Sequence, residues 1–250
     1  MSNRFFIIVT GYNCEAFVKK CYESLFEQTY SNWHTVFIND ASTDNTQDII
    51  EGLKCKHITN KTNIGASYGR NFAIKNFAAE NDIILFLGMD DHLLPNALER
   101  INKEYKNGKL MTYGNWINQF GTGLPESFDL DFDDETHANR NYRNVTYRST
   151  APNTFRKFLY NCITEDELKY ENEWLKVCTE GPVMFAMLEQ CGKDRIGVIK
   201  DKIYHYNEST NGMSENSHNG TLKRYGFEYK YKVYRELVAR NNKKELYESK

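Results

Sequence analysis

"FFIIVTGYNCEAFVKKCYESLFEQTYSNWHTVFIND", residues 5–40, decides the fold class. Phe5 to Thr10 is an unbroken β-branched and aromatic run, the composition of a buried strand. "CEAFVKKCYESLFEQ" then places Phe17, Cys21 and Leu25 at helical spacing, and "WHTVFIND" returns to strand composition. A strand, a helix and a second strand in that span read as one βαβ unit with parallel strands.

The alternation continues downstream. Asp44 to Leu53 reads as a short helix, "KHIT" (56–59) as a third strand, and Ala66 to Ala79 as a helix. "DIILFLG" (82–88) is a fourth strand, followed by a helix from about Pro95 to Tyr105 with proline near its start. "LMTYGNW" (110–116) is a fifth strand. The pattern predicts an α/β fold with a Rossmann-like, doubly wound, mostly parallel sheet. Ligands of such sheets bind outside the carboxyl ends of the strands. Those ends read Thr10 to Asn13, Asn39 to Ser42 and Gly88 to Asp91, three polar clusters on one edge. Turn chemistry alone also places Gly, Asn and Asp at such positions.

Composition sets limits on what the chain does. Hydrophobic residues are 40% and charged residues 26% of 250, an ordinary globular balance. A net charge of −2 argues against general nucleic-acid binding. The apolar run at the amino terminus has only five residues, too short for a secretory signal or a membrane span. The six cysteines show no CxxC pair, which favours reduced thiols and a cytoplasmic setting.

The second half is less regular. Residues 118–150 read as loop, including the acidic "ESFDLDFDDE" (126–135). Within it, Asp129 to Glu135 alternates like a calcium loop but lacks Gly at the sixth place and Glu at the twelfth. "TFRKFLYNCI" (154–163) reads as helical, as does about Pro182 to Gln190; "RIGVIKDKIYHYN" (195–207) reads as a strand or hairpin. A tyrosine-rich basic helix runs from Leu222 towards the end, with a charged outer face. With no repeat and no Pro/Ser-rich linker, a single domain with a carboxyl-terminal helical extension is expected.

Four stretches, in order, resemble the family 2 glycosyltransferases. These are residues 7–46, "NKTNIGASYGRN" (60–71), "FLGMDDHLLP" (86–95) and "EGPVMFAMLEQCGKDRIGVIKDKIYHYN" (180–207). The resemblance spans roughly residues 4–215 and implies a GT-A fold. It implies a domain over 1–220, with a nucleotide-binding half to about 115 and an acceptor half from about 116, and a helix over 221–250 packed on it. The implied activity is inverting transfer from a nucleotide diphosphate sugar, UDP-sugar before dTDP-sugar, to an acceptor hydroxyl on a glycan, a lipid-linked molecule or a protein. Mn²⁺ or Mg²⁺ is the implied cofactor. Contact with a membrane surface stays open.

Residue by residue, the resemblance implies that Asp40 accepts the imide hydrogen of a uracil or thymine ring, with Thr10 and Tyr12 completing the base pocket. Asn13, Ser42, Asn63, Gly65 and Met89 fall in the same donor-binding motifs. Arg70 is implied to lie near the diphosphate, where a planar guanidinium meets phosphate oxygens bidentately. Asp90 and Asp91 match the metal motif, and His205 matches a position that ligates metal in some relatives; carboxylate and neutral imidazole both suit Mn²⁺. The first acid of the usual Asp-x-Asp is Gly88 here, which puts its metal contact in doubt. Glu180 stands where relatives carry the catalytic Asp, at the start of a helix that favours an ionised carboxylate. Two other classes stay open: an inactive sugar-nucleotide binder, and a nucleotidyltransferase, whose Gly-rich basic motif "VTGYNCEAF" (9–17) lacks.

Overall fold

The computed structural model describes residues 2–208 and 218–240. In chain order the elements are β1 (Phe5–Gly11), α1 (Val18–Phe26), β2 (Trp33–Asn39), α2 (Thr46–Glu51), β3 (Lys56–Thr59), α3 (Ala66–Phe77), β4 (Ile83–Gly88), β5 (His92–Leu93), α4 (Ala97–Lys106) and β6 (Met111–Asn118). The second half adds α5 (Asp134–Asn139), β7 (Thr154–Arg156), β8 (Lys169–Tyr170), β9 (Glu173–Trp174), α6 (Gly181–Gln190), β10 (Ile196–Tyr206) and α7 (His218–Ala239). Eight strands form one sheet in the order β3-β2-β1-β4-β7-β6-β10-β5, while β8 and β9 pair separately.

The central strands are parallel, and their register aligns their ends: Thr10 sits opposite Gly88, and Gly11 opposite Asn39. Alternation along each strand feeds two cores. Phe6, Ile8, Ile84 and Phe86 pack on one face of the sheet; Phe5, Ile7, Val9, Ile83, Leu85 and Leu87 pack on the other. Helices cover both faces, which is why these strands read as unbroken apolar runs.

The structure corrects the expected helix over 154–163. Thr154–Arg156 is a strand, followed by a 3-10 turn over Lys157–Cys162. β7 is wedged antiparallel to both β4 and β6. Thr154 fixes it there through buried hydroxyl contacts to Tyr105 (2.8 Å) and Thr112 (2.6 Å), partners invisible to local periodicity. "RIGVIKDKIYHYN" forms one long strand, irregular where it passes β6.

A buried ion pair ties the last helices together. Arg143 donates to both oxygens of the fully buried Glu189 on α6 (2.5 and 3.0 Å) and to the Leu237 carbonyl on α7 (2.6 Å). On α7, Val233 and Leu237 are buried against Leu175 and Val177. Residues 241–250 of the expected basic helix lie outside the described residues. Among those described, no helix is long and apolar enough to cross a membrane.

Candidate active site

The carboxyl ends of β1, β2 and β4 form the floor of a cavity of about 680 Å³, within the usual range for a small-molecule site. Thr10, Asp40, Asp90 and Asp91 line it from below. Asn63, Gly65 and Arg70 come from the α3 entry, and Glu180 stands at the start of α6. Most of the motif residues therefore converge on one space, although 170 positions separate Thr10 from Glu180.

Asp40 is already engaged. Its carboxylate accepts from Asn60 Nδ2 (2.7 Å), the Ile64 amide (3.0 Å) and the Gly65 amide (2.8 Å), and its carbonyl accepts from Asn63 Nδ2 (3.1 Å). With about four lone-pair positions on a carboxylate, roughly one acceptor position is left for a ligand. Asp40 thus holds the 60–65 loop as well as facing the cavity. Gly65 is needed there for two reasons: its φ is +107°, and a Cβ would stand 2.7 Å from the Leu175 carbonyl oxygen.

Three donor-motif residues serve the floor without lining it. Asn13, at φ +53°, accepts from the Thr43 amide (2.8 Å), and its own amide donates to Ser42 Oγ (2.9 Å), lacing the β1 turn to the β2 turn. Tyr12 also lies outside the cavity lining. Met89 is corrected outright: it is fully buried in the core on the far side, against Gly11 and Cys14.

The adjacent acids differ sharply. Asp91 Oδ2 accepts from the Tyr204 hydroxyl (2.5 Å) and Oδ1 from the Asn207 amide (2.8 Å). Burial and then the neighbouring Asp90 charge push the Asp91 carboxyl well above the usual range, against the pull of those two hydrogen bonds. Asp90 faces the cavity. Gly88 leaves room for both: a Cβ there would stand 2.7 Å from Asp91 Oδ2 and 2.9 Å from Asp90 Oδ1. An acid at position 88 would force this pair to shift.

His205 does not join them. Alternation along β10 turns Tyr204 and Tyr206 to the cavity and leaves His205 stacked on His92, ring centroids 4.1 Å apart. Among the described residues no cluster of three or more His, Cys, Asp or Glu could hold a metal alone. The donor set suits a hard cation that keeps one or two carboxylates and takes the rest of its oxygens from phosphate and water. The cavity chemistry agrees, because five acids line it (Asp40, Asp90, Asp91, Glu180, Glu208) against three bases (Arg70, Lys176, Lys230). An anionic ligand here is easier to place with a cation beside it.

Glu180 is gripped from two sides. Its Oε1 lies 3.3 Å from Arg70 Nη2, and its Oε2 accepts from Asn153 Nδ2 at 2.6 Å. Arg70 is braced by Thr179 Oγ1 (3.0 Å) and stacks its guanidinium over Phe86 (4.5 Å). Glu180 keeps a third of its side chain exposed towards the cavity. Glu173 and Asp166, acids of the same region, are exposed and do not line it.

Several cavity residues escape motif reading. Asn153, Thr179, Tyr204, Lys176, Lys230 and Tyr234 either line the space or hold what does. For Tyr204 a signal existed: period-2 alternation in "IYHYN" separates both tyrosines from the histidine. The others carry none, because each acts across more than 20 positions of chain.

Comparison with known proteins agrees with the geometry. The family model described as glycosyl transferase family 2 matches residues 6–164. A β-1,3-glucosyltransferase of Escherichia coli, WfgD, named for UDP-Glc and α-D-GlcNAc-diphosphoundecaprenol, is 36% identical over 114 residues; these are 44% of this chain and 44% of that protein. TarS 1–349 of S. aureus in complex with UDP-GlcNAc matches with a TM-score of 0.61 at 22% identity, covering 82% of this chain and 59% of that one. The mannosyltransferase PcManGT from Pyrobaculum calidifontis, in complex with GDP-Man and Mn²⁺, matches with a TM-score of 0.59 at 13% identity over 97% of this chain and 66% of that one. The likeness to these structures establishes the GT-A type of α/β fold. The chain spans less than half the length of WfgD.

Proposed function

The chain belongs to glycosyl transferase family 2, and on that premise we propose that it moves a sugar from a UDP-sugar to an acceptor hydroxyl with inversion at the sugar carbon. The observation that carries this reading is Glu180, fixed by Arg70 and Asn153 inside the same cavity as Asp90 and Asp40. The acceptor O–H gives its proton to the Glu180 carboxylate while its oxygen bonds to the anomeric carbon. The bond from that carbon to the diphosphate oxygen breaks, and its electron pair leaves with UDP. One displacement inverts the centre.

This chain's residues divide the work. Glu180 sits at the amino end of α6, where the helix dipole favours a negative charge. Its two-sided grip offsets the freedom of a side chain one methylene longer than Asp, so the carboxylate is held in reach of the acceptor. Asp90 would hold Mn²⁺ or Mg²⁺, with Asp91 behind it keeping the turn in place through Tyr204 and Asn207. When bound, the ion neutralises charge growing on the leaving diphosphate. UDP is favoured because WfgD and the TarS complex both carry uridine donors in their names. Asp40 and its 60–65 loop would face the uracil.

The same reading assigns residues 1–220 to the transferase domain, donor half first, with α7 packed on it. A glycan, a lipid-linked molecule or a protein is the acceptor class. Six cysteines in no disulfide suit a reducing, cytoplasmic setting.

The test is UDP release from a panel of UDP-sugars with added Mn²⁺, with UDP affinity measured by calorimetry. Glu180→Ala is expected to lower turnover by about 10²–10⁴-fold with UDP affinity little changed. Wild type and variant equally inactive on every donor, yet binding UDP, would make the chain a sugar-nucleotide binder. No binding of any nucleotide removes the reading.

A further inference from the structure

The cavity has a roof, and it lies outside the residues that match the family model. Residues 176–181 line it there, and α7 packs against that segment through Leu175 and Val177. On α7 the positions 230, 233, 234 and 237 share one face. Val233 and Leu237 are buried in the contact with Leu175 and Val177, while Lys230 and Tyr234 reach the cavity wall. A lysine on the inward face of a packed helix is unlike the solvated lysines around it. Lys176, between the buried Leu175 and Val177, is partly exposed and lines the cavity together with Val177 and Cys178.

The roof residues can be ordered along the cavity. Lys176 lies at the Asp40 end, since a Cβ on Gly65 would stand 2.9 Å from Lys176 Cγ, and the Gly65 amide donates to Asp40. Lys230 lies beside Cys178, its carbonyl 4.0 Å from that sulfur and its charge acting on the thiol. About two turns further on, Leu237 packs 3.5 Å from where a Cβ of Gly181 would be, next to Glu180. The two lysines therefore flank the stretch between Asp40 and Glu180, Lys176 at the Asp40 end and Lys230 beside Cys178, two residues before Glu180. A nucleoside diphosphate sugar laid from one end to the other puts its diphosphate in that middle stretch. Arg70, the third base of the lining, pairs with Glu180.

We propose that Lys176 and Lys230 form an anion clasp that takes the diphosphate of the donor from above, opposite Asp90. The proposal rests on the nucleotide-sugar reading for the identity of its ligand, but not for the existence of an anion site. It gives this chain a second means of neutralising the leaving group, in a cavity where Gly88 removes one acid of the metal motif. The carboxyl-terminal helix thereby becomes part of the donor site.

Calorimetry on the full chain in EDTA, with UDP, uridine and inorganic pyrophosphate as probes, tests it. Lys176→Met with Lys230→Met keeps both apolar stems and removes both charges. Wild type is expected to bind UDP and pyrophosphate, and the double variant to lose roughly tenfold to a hundredfold of each affinity with uridine unchanged. Lys176→Arg with Lys230→Arg is expected to restore most of the loss. Equal affinity of wild type and double Met variant for UDP and pyrophosphate overturns the clasp. A uridine affinity that falls as far as that for UDP also overturns it, because the lysines would then only shape the pocket. Pyrophosphate bound through the lysines by a wild type that ignores UDP keeps the clasp and removes the nucleotide reading. Neither probe bound by wild type removes both.

Discussion

The floor and the roof of the cavity are built by different means. The floor is three parallel strand ends, each locked by main-chain hydrogen bonds in a register that brings Thr10, Asn39 and Gly88 level. The roof has no ladder to the main sheet. It is held by the four-residue contact of Leu175, Val177, Val233 and Leu237, by Arg143 joining Glu189 to the Leu237 carbonyl, and by Arg70 and Asn153 on Glu180. A backbone ladder spreads its strength over many bonds, so no single polar side chain carries it. A roof of a few side-chain ties concentrates the same task in single residues.

Arg143→Ala is the severest way to break that contrast. It strands the buried Glu189 carboxylate and frees the α7 carbonyl, and losing one partner of a buried pair costs about 3–5 kcal/mol. Denaturant unfolding is expected to show that loss. UDP affinity should fall with it, as the roof loosens before the sheet.

Tyr204→Phe is the matching change at the edge of the floor. It removes the hydroxyl donated to Asp91 Oδ2 inside a buried site, an expected loss of about 1–3 kcal/mol. The unfolding midpoint reads it. A loss as large as that of Arg143→Ala would mean that floor and roof do not differ as described.

Ala41→Gly sharpens the comparison from the other side. Ala41 stands at φ +64° in the turn after β2, where a Cβ is strained. Glycine relieves that strain at some entropic cost, so a gain of roughly 0.5–1 kcal/mol is expected, read as a higher thermal midpoint with UDP affinity kept.

The last change is silent at neutral pH and acts through pH dependence alone, at the β5 edge of the sheet. Burial, with neighbouring His205 and Lys20, lowers His92 from 6.5 to about 4, and burial lowers His205 as well. Both rings are neutral in the fold over a range where the unfolded chain protonates. Their contribution is complete above pH 6.5 and is lost as pH falls from about 6.5 towards 4. His92→Phe should flatten part of the acid slope in unfolding experiments and leave stability at pH 8 nearly unchanged.

How far sequence reading reached follows the same division. The first five long strands and four helices were expected within a few residues of where they lie, because each carries its own periodicity. So was the gathering of Asp40, Arg70, Asp90 and Glu180, once their motifs were set beside a known family. Met89 and His205 fall outside the cavity lining for different reasons. A motif gives a position along the chain; the turn after β4 buries Met89 against Gly11 and Cys14, and the pleat of β10 turns His205 onto His92. β7 was read as helix because "TFRKFLYNCI" has apolar residues at spacings that fit either state, and the hydroxyls of Tyr105 and Thr112 decided between them.

The sequence alone determined the alternation of strands and helices, the buried central strands and the polar edge where they end, since those depend on hydrophobic period and local turn chemistry. Only the tertiary structure decided that Asp91 faces Tyr204 and Asn207 while Asp90 faces the cavity, that Asn153 grips Glu180, and that a helix near the carboxyl end brings Lys230 over the site. Each of these depends on residues distant in the chain meeting across a packed interior, and no local pattern encodes such a meeting.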